Sequence, residues 1–476
     1  MIAIRFAAIA ALIASTAAPM AASAQDAGSA ALSPDTIAQI DSGTNKAVTV
    51  GRVAGVSVAV ARDGTIVYSR GYGFANVAHH VGATVQTHYE IGSITKQFTA
   101  TAILQLKEQG KLSLSDTLAR WIPEYKRGAA ITIEELLSQT TGIYNYTEAD
   151  GFEKMAGTQR PSFAKMLALV ADKPLAFTPG SKFDYSNTNY ILLGEIVERA
   201  SGTSWENYVR TKLFAPAGMS SSGFISDEAK LQPMATGYTV SKKGIKLAPP
   251  LISGWAWSAG AIVSTVDDMQ AWDSALLRGK LINRTDLAMM FSPRKQAFDK
   301  GSFYAFGWIV DTADGHKRIW HNGGTFGFTA SNMLFPRDHL SIVVLQNTDS
   351  LVGPDASAMR IFEALVPSAV VASSAKGEDP AVTARIRGMI ASLENGTLDR
   401  SQLTPDMNKM LTPQLLADVK TQFAPLGAPQ QLIFVSKVSG KRGELYTYRA
   451  VFSAVTFNVH FGVNAAGKVA GFNLAP

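Results

Sequence analysis

Gly92-Ser93-Ile94-Thr95-Lys96-Gln97-Phe98-Thr99-Ala100-Thr101-Ala102-Ile103-Leu104-Gln105-Leu106 carries an apolar residue at every fourth position from Ile94: Phe98, Ala102 and Leu106 follow it. Ile103 and Leu104 extend the apolar surface round the same helix until Gly110 stops it, so the spacing predicts a buried helix. Ser93 sits in its first turn with Lys96 three residues on, which puts both side chains on one face with Cβ atoms about 5 to 6 Å apart. A lysine buried there must find a partner or lose its proton, because desolvation disfavours the ammonium form. Either outcome suits the activation of a hydroxyl. The positive end of the helix dipole also favours oxyanion character beside Ser93.

Taken alone, Ser-x-x-Lys is commonplace: a capping serine followed by a lysine that reaches solvent. Two later stretches give it company. Tyr185-Ser186-Asn187 precedes an apolar helical run (Ile191, Leu192, Leu193, Ile196, Val197) that ends at Gly202. A phenol beside a lysine can accept the Ser93 proton and return it to a leaving group. Arg318 to Gly323 reads as a short strand, and Gly323 and Gly324 would let a substrate backbone approach it. The Gly324 N–H could then join the Ser93 N–H as an oxyanion hole. Nucleophile, proton-transfer group and amide-gripping strand occur in the order used by one class of serine acyltransferases.

With these motifs, and with Leu136-Leu137-Ser138-Gln139-Thr140-Thr141-Gly142 and Pro216-Ala217-Gly218-Met219, the chain resembles the class C β-lactamase and penicillin-recognising serine hydrolase family. DD-carboxypeptidases, D-aminopeptidases and a branch of carboxylesterases belong to it. The resemblance covers about residues 36 to 366. It implies an α/β sandwich, an antiparallel sheet flanked by helices, with an inserted all-helical lobe and the active site in the cleft between them. It also implies Ser93 as the acylated nucleophile, with Lys96 and Tyr185 as its proton-handling partners. Asn187, His321 and Gly323 would then bind substrate, and Ser93 and Gly324 would form the oxyanion hole. His321 stands where β-lactamases usually carry the lysine of a Lys-Thr-Gly motif. An unperturbed histidine, with pKa about 6.5, is mostly neutral at pH 7 and poorly suited to a substrate carboxylate. Small esters, or amides and peptides of the D-series, are therefore expected ahead of β-lactams. The aromatics near the motifs, Tyr144, Tyr146, Trp255, Trp257, Phe326 and Phe328, are candidate walls of an apolar substrate pocket.

Composition narrows the alternatives. At 46% hydrophobic and 17% charged residues the chain is globular, and its 476 residues call for two or three folded units. Arg5, the apolar run from Phe6 to Ala18 and Ala22-Ser23-Ala24 have the three parts of a secretory signal, with cleavage expected after Ala24 and a periplasmic or secreted product with no stable membrane insertion. There is no cysteine, so disulfides, thiol nucleophiles and thiolate metal sites are excluded. His79, His80 and His88 do not fall at a ligand spacing, and neither a metal nor a cofactor is expected. The formal charge of +6 is scattered rather than gathered into a stripe, which argues against nucleic acid as a partner. A small molecule or short peptide is the expected partner. The rival of another class is a catalytically silent protein that binds cell-wall peptide in the same cleft.

Along the chain, residues 35 to 49 read as a helix. Gly55 to Arg62 and Thr65 to Phe74 follow as a hairpin turning on Asp63-Gly64. A helical lobe is expected over about 111–250, then a return to strands as far as residue 345 and a closing helix to 365. Residues 367–380 read as a linker. A small α+β accessory unit is expected over 381–476, with helices near 381–394 and 413–422 and four strands after them.

Overall fold

The computed structural model describes residues 31–157, 161–298, 301–350, 352–366, 378–440 and 443–475. The proposed signal segment and most of the proposed linker lie outside these residues.

The frame is a nine-stranded sheet in which every neighbouring pair is antiparallel. Its order is Val81–Gly82, Thr65–Asn76, Gly55–Arg62, Leu340–Gln346, Phe328–Phe335, His316–Thr325, Ile309–Ala313, Phe303–Tyr304 and Lys295–Gln296. The first strand of the chain therefore pairs with the sheet's last strand in sequence, Val56 opposite Gln346 through to Arg62 opposite Leu340. Everything between the two sequence blocks is carried out of the sheet and back.

The central strands read as continuous apolar runs because both sheet faces are covered. Along Leu340–Gln346, Val343 and Leu345 enter one core while Ile342 and Val344 enter the other. Ala59 parts company with Val58 and Val60 in the same way. The first face packs the Thr95–Glu108 and Val266–Leu277 helices, and the second packs Pro34–Thr49 and Pro354–Leu365. Thr95–Glu108 is buried from Thr95 to Leu104. Phe98 anchors it by stacking on Trp272, ring centroids 3.8 Å apart. Truncating such a core phenylalanine to alanine costs about 3–5 kcal/mol, so this contact holds the helix that carries Lys96.

The inserted lobe centres on the Asn187–Ser201 helix, which packs across Thr95–Glu108 and ends on Gly202 in the left-handed region. Short helices surround it. Within the segment expected to be all helical, Tyr238–Ser241 and Gly244–Leu247 form a small hairpin. Its turn is Lys242-Lys243, and the four-residue strands are too short to leave a clear alternating pattern in the sequence.

In the C-terminal part, the helices Pro380–Asn395 and Pro413–Phe423 accompany a four-stranded antiparallel sheet, Gln431–Gly440, Gly443–Val451, Thr456–Val463 and Val469–Ala475. Its Ile386, Tyr448, Phe457 and Phe461 belong to the same apolar cluster as Val58, Ile342, Ile361 and Phe362. Arg449 fastens it further, reaching Asp314 at 3.2 Å and pairing with Glu363. This unit thus sits against the sheet face opposite the Ser93 helix, away from the cleft.

Candidate active site

A 3₁₀ turn, Gly92–Ile94, delivers Ser93 to the start of the Thr95–Glu108 helix. Gly92 has a φ of +51°, and a Cβ on it would stand 2.5 Å from the Gly324 backbone nitrogen. The strand His316–Thr325 therefore lies directly against the turn, backbone to backbone.

Lys96 is fully buried, and its Nζ has three neighbours: Ser93 Oγ at 2.9 Å, Asn187 Oδ1 at 2.8 Å and the Ala259 carbonyl oxygen at 2.8 Å. Burial pushes its pKa well below the ordinary lysine value, and no carboxylate opposes that push. The neighbours define what the neutral amine does. Asn187 Oδ1 and the Ala259 oxygen can only accept, so they take the two N–H groups. In the neutral amine the remaining lone pair faces the Ser93 hydroxyl, whereas the ammonium donates to it.

Tyr185 comes close enough to Ser93 for the serine to act on its phenol. Its ring centroid is 5.0 Å from Lys96 Nζ. Loss of water raises the phenol's pKa, with Ser93 pulling the other way. In the resting site the lysine is thus inclined to be an amine and the tyrosine a phenol.

Asn187 is the first residue of its helix, and Ser186 is the N-cap. The Asn145 Oδ1 accepts from the Asn187 backbone N–H at 3.1 Å, while Asn187 Nδ2 approaches Asn145 Oδ1 at 3.5 Å and Thr147 Oγ1 at 3.4 Å. These contacts fix which end of the amide faces Lys96. Sequence patterning marks none of Asn145, Thr147 and the Ala259 carbonyl; the nearest signal is Gly142, which ends the Leu136–Gly142 stretch three residues before Asn145.

His321 and Gly323 occupy positions different from a substrate-facing wall. His321 is buried; its Nδ1 meets the Asn322 carbonyl oxygen at 2.6 Å and its Nε2 the Tyr304 hydroxyl at 3.1 Å. Burial, then the nearby Lys96, drives its pKa down to about 3, so the ring is neutral and both nitrogens are engaged inside the protein. A Cβ on Gly323 would stand 1.9 Å from the Ile91 carbonyl oxygen and 3.0 Å from the Ser93 nitrogen. That glycine serves the close approach of the strand to the Ser93 turn.

Gly324 comes next. Thr325 opposite Phe328 closes a two-residue turn, and Gly324 pairs opposite Thr329. Residues alternate along an antiparallel ladder between bonding and not bonding across it, so Gly324, one step from the closing pair, turns its N–H away from the Phe328–Phe335 strand. Ile309–Ala313 does not extend to cover it, since its pairing begins with Ile309 opposite Trp320.

A cavity of about 130 Å³ opens in front of Ser93, lined by Tyr146, Phe152, Asn187, Leu251, Trp255, Gly324 and Phe326 among others. Phe152 meets Tyr146 and Trp255 edge to face, with centroids 5.6 Å away in each case. Of the candidate aromatics, Tyr146, Trp255 and Phe326 line this cavity. Phe328 is core, Trp257 packs on Trp205, and Tyr144 bonds the Glu148 carbonyl. None of the described lining residues is cationic.

Residues 37–365 match the family model described as Beta-lactamase. The chain belongs to that family of serine hydrolases. Among curated relatives, the Bacillus subtilis (strain 168) protein named penicillin-binding protein PbpX is 33% identical over 289 residues, 60% of this chain and 68% of that one. The chain covers 64–68% of the length of such relatives. A D-stereospecific amidohydrolase from Streptomyces sp. superposes with TM-score 0.60 at 26% identity, over 70% of this chain and 98% of that one. The octameric penicillin-binding protein homologue from Pyrococcus abyssi shares the fold over 90% of this β-lactamase-family chain and 96% of its own, with TM-score 0.65 and 22% identity. Among the described residues, no helix is long and apolar enough to cross a membrane, and no cluster of His, Asp and Glu could hold a metal ion.

Proposed function

We propose that this protein hydrolyses small uncharged acyl donors through an acyl-enzyme on Ser93, with short esters preferred and amides or short peptides of the D-series next. The observation that carries the reading is the geometry around Lys96: two pure acceptors, Asn187 Oδ1 and the Ala259 oxygen, hold Nζ 2.9 Å from Ser93 Oγ, so that the neutral amine turns its lone pair to that hydroxyl.

Ser93 Oγ attacks the acyl carbon as its proton passes to Lys96 Nζ. The carbonyl oxygen becomes an oxyanion held by the Ser93 and Gly324 N–H groups. Tyr185 gives its hydroxyl proton to the departing oxygen or nitrogen and recovers one from Lys96, which restores the amine. Water then enters, loses a proton through the same groups, and releases the acid from Ser93. Asn187 keeps Lys96 aimed and presents Nδ2 on the cavity side, where an acyl-side carbonyl could accept from it.

Substrate preference follows from the cavity. Its described walls are mostly apolar, with Thr147, Asn187 and Thr325 as neutral polar groups beside Ser93, and hold no cation, and the neutral His321 supplies none, so an anionic β-lactam or a peptide carboxylate finds no counter-charge in the lining. β-Lactamase and DD-carboxypeptidase activities therefore rank below esterase and D-amidase activity. The D-stereospecific amidohydrolase among the structural relatives supports the second substrate class. The N-terminal pattern supports action outside the cytoplasm after cleavage following Ala24.

The test is a parallel panel of p-nitrophenyl esters, a D-alanyl anilide, a D-Ala-D-Ala peptide and a chromogenic cephalosporin, with Ser93→Ala as blank. The ester is expected to give the highest kcat/KM. A cephalosporin or peptide rate above it would overturn the ranking.

A further inference from the structure

Gln139 stands out for its backbone before its side chain. It follows Ser138, the C-cap of the Ile133–Leu137 helix, and its φ is +58°. That is the left-handed conformation a helix end usually assigns to glycine, and one that any residue with a Cβ enters at a cost. It is also fully buried. A glutamine kept there needs a compensating use for its side chain.

The hydrogen bonds show the use. The backbone oxygen of Gln139 accepts from the Asp184 N–H at 3.0 Å, and its Oε1 accepts from the Ser186 N–H at 3.1 Å. One residue thus grips the chain on both sides of Tyr185. The same Oε1 accepts from Asn189 Nδ2 at 2.5 Å, and Asn189 Oδ1 accepts from the Thr141 hydroxyl at 2.7 Å. The grip therefore reaches one turn into the helix that begins with Asn187. Neighbouring turns add backbone support, with Gly180 N–H to the Thr140 oxygen and Ala176 N–H to the Gly142 oxygen, each at 2.8 Å.

Tyr185 itself is held by its ring contacts and by its approach to Ser93 and Lys96. Its ring meets Phe298 and His321 at a tilt and Tyr304 edge-on, at centroid distances of 6.0–6.3 Å. Its hydroxyl must stay in reach of Ser93. We propose that Gln139 is a positioning residue for the Ser93 hydrolase: by bonding the chain on either side of Tyr185 and the first turn after it, it fixes the phenol against the serine. This rests on the role of Tyr185 given above.

The test compares Gln139→Ala, Gln139→Gly and Gln139→Glu on a short p-nitrophenyl ester, with thermal unfolding of each. Both side-chain bonds use only the acceptor oxygen, so Gln139→Glu, kept protonated by burial, should hold kcat within about threefold of the parent. Gln139→Ala and Gln139→Gly should lower kcat by about ten- to a hundredfold with KM changed by less than about threefold, the mark of a displaced reacting group. Gln139→Gly relieves the backbone and should be the more stable of the two while being no more active. A folded Gln139→Ala with parental kcat overturns the proposal, as does a Gln139→Glu that falls as far as Gln139→Ala. If Gln139→Ala does not fold, Thr141→Val loosens Asn189 instead; a kcat loss of about threefold or more is expected, and no loss overturns the proposal. A parent enzyme that hydrolyses no ester would defeat the functional reading itself, and that result is read before any variant is made.

Discussion

Gly323 and Ile91 are packed so tightly that a single added carbon on the glycine would lie 1.9 Å from the isoleucine's carbonyl oxygen. This contact welds the His316–Thr325 strand to the turn bearing Ser93. Gly323→Ala must push the two apart, and with them the Ser93 and Gly324 N–H groups. Loss of one oxyanion donor typically costs about a hundred- to a thousandfold in kcat, and that range is expected here. The neighbouring Gly324, whose Cβ would meet only the Phe328 oxygen at 4.0 Å, should tolerate alanine far better. Steady-state esterase kinetics of the two variants check the contrast.

The pH profile follows from opposite shifts on the buried Lys96 and the half-buried Tyr185. Lys96 has its pKa lowered by burial, so the amine form persists to lower pH than for an ordinary lysine, and activity should fall only as acid protonates it. Tyr185 has its pKa raised by burial, so the phenol persists into alkali. A plot of kcat/KM should rise through one acid limb to a plateau that continues well above neutrality. His321 contributes no limb near 6.5, because its pKa is driven down to about 3. A bell centred near pH 6 would contradict this assignment.

Asp273 makes stability depend on pH without touching the chemistry. Burial pushes its carboxyl up to about 7, against hydrogen bonds from Asn332 and Ser341 that pull it down. The folded chain keeps this proton where the unfolded chain, with an ordinary value of 3.8, has lost it. Its contribution is therefore largest in acid and declines as pH rises from about 4 to about 7. Asp273→Asn should remove that decline, gaining on the parent by on the order of 3 kcal/mol between pH 4 and 8. Urea unfolding of both proteins at the two pH values decides it.

The acyl cavity should read chain length. Trp255 and Phe326 wall it, and Trp255 is fully buried beneath Phe152. Phe326→Ala opens the wall and is expected to shift preference from acetyl and propionyl towards hexanoyl and octanoyl esters by about tenfold in relative kcat/KM. Trp255→Ala should shift it the same way with a stability loss of about 3–5 kcal/mol. Unchanged chain-length preference in both would contradict the cavity's role.

The legible and illegible parts of this molecule divide by range. The Ser93 helix, the Asp63-Gly64 hairpin and the strands Phe328–Phe335 and Leu340–Gln346 announce themselves through local periodicity and turn chemistry, whereas the two-residue strands Lys295–Gln296 and Phe303–Tyr304 are too short to show a period. The pairing of Gly55–Arg62 with Leu340–Gln346 is written only in the apolar character of both strands, which shows burial but not the partner. At the site, the polar groups around Lys96 come from three distant segments, and one of them, the Ala259 oxygen, is backbone that no side-chain pattern marks. Gln139 is harder still, since a left-handed glutamine leaves no trace in composition. Phe152 replaces Tyr144, Trp257 and Phe328 at the cavity because an aromatic's identity does not reveal which way its helix or turn faces.

The central claim is that Ser93 becomes acylated. Purified protein treated with a fluorophosphonate and digested for peptide mass spectrometry should carry the label on Ser93, and Lys96→Met should slow labelling by about a hundredfold or more. Absence of label on Ser93, under conditions that modify a control serine hydrolase, would contradict the account and favour a silent binding protein.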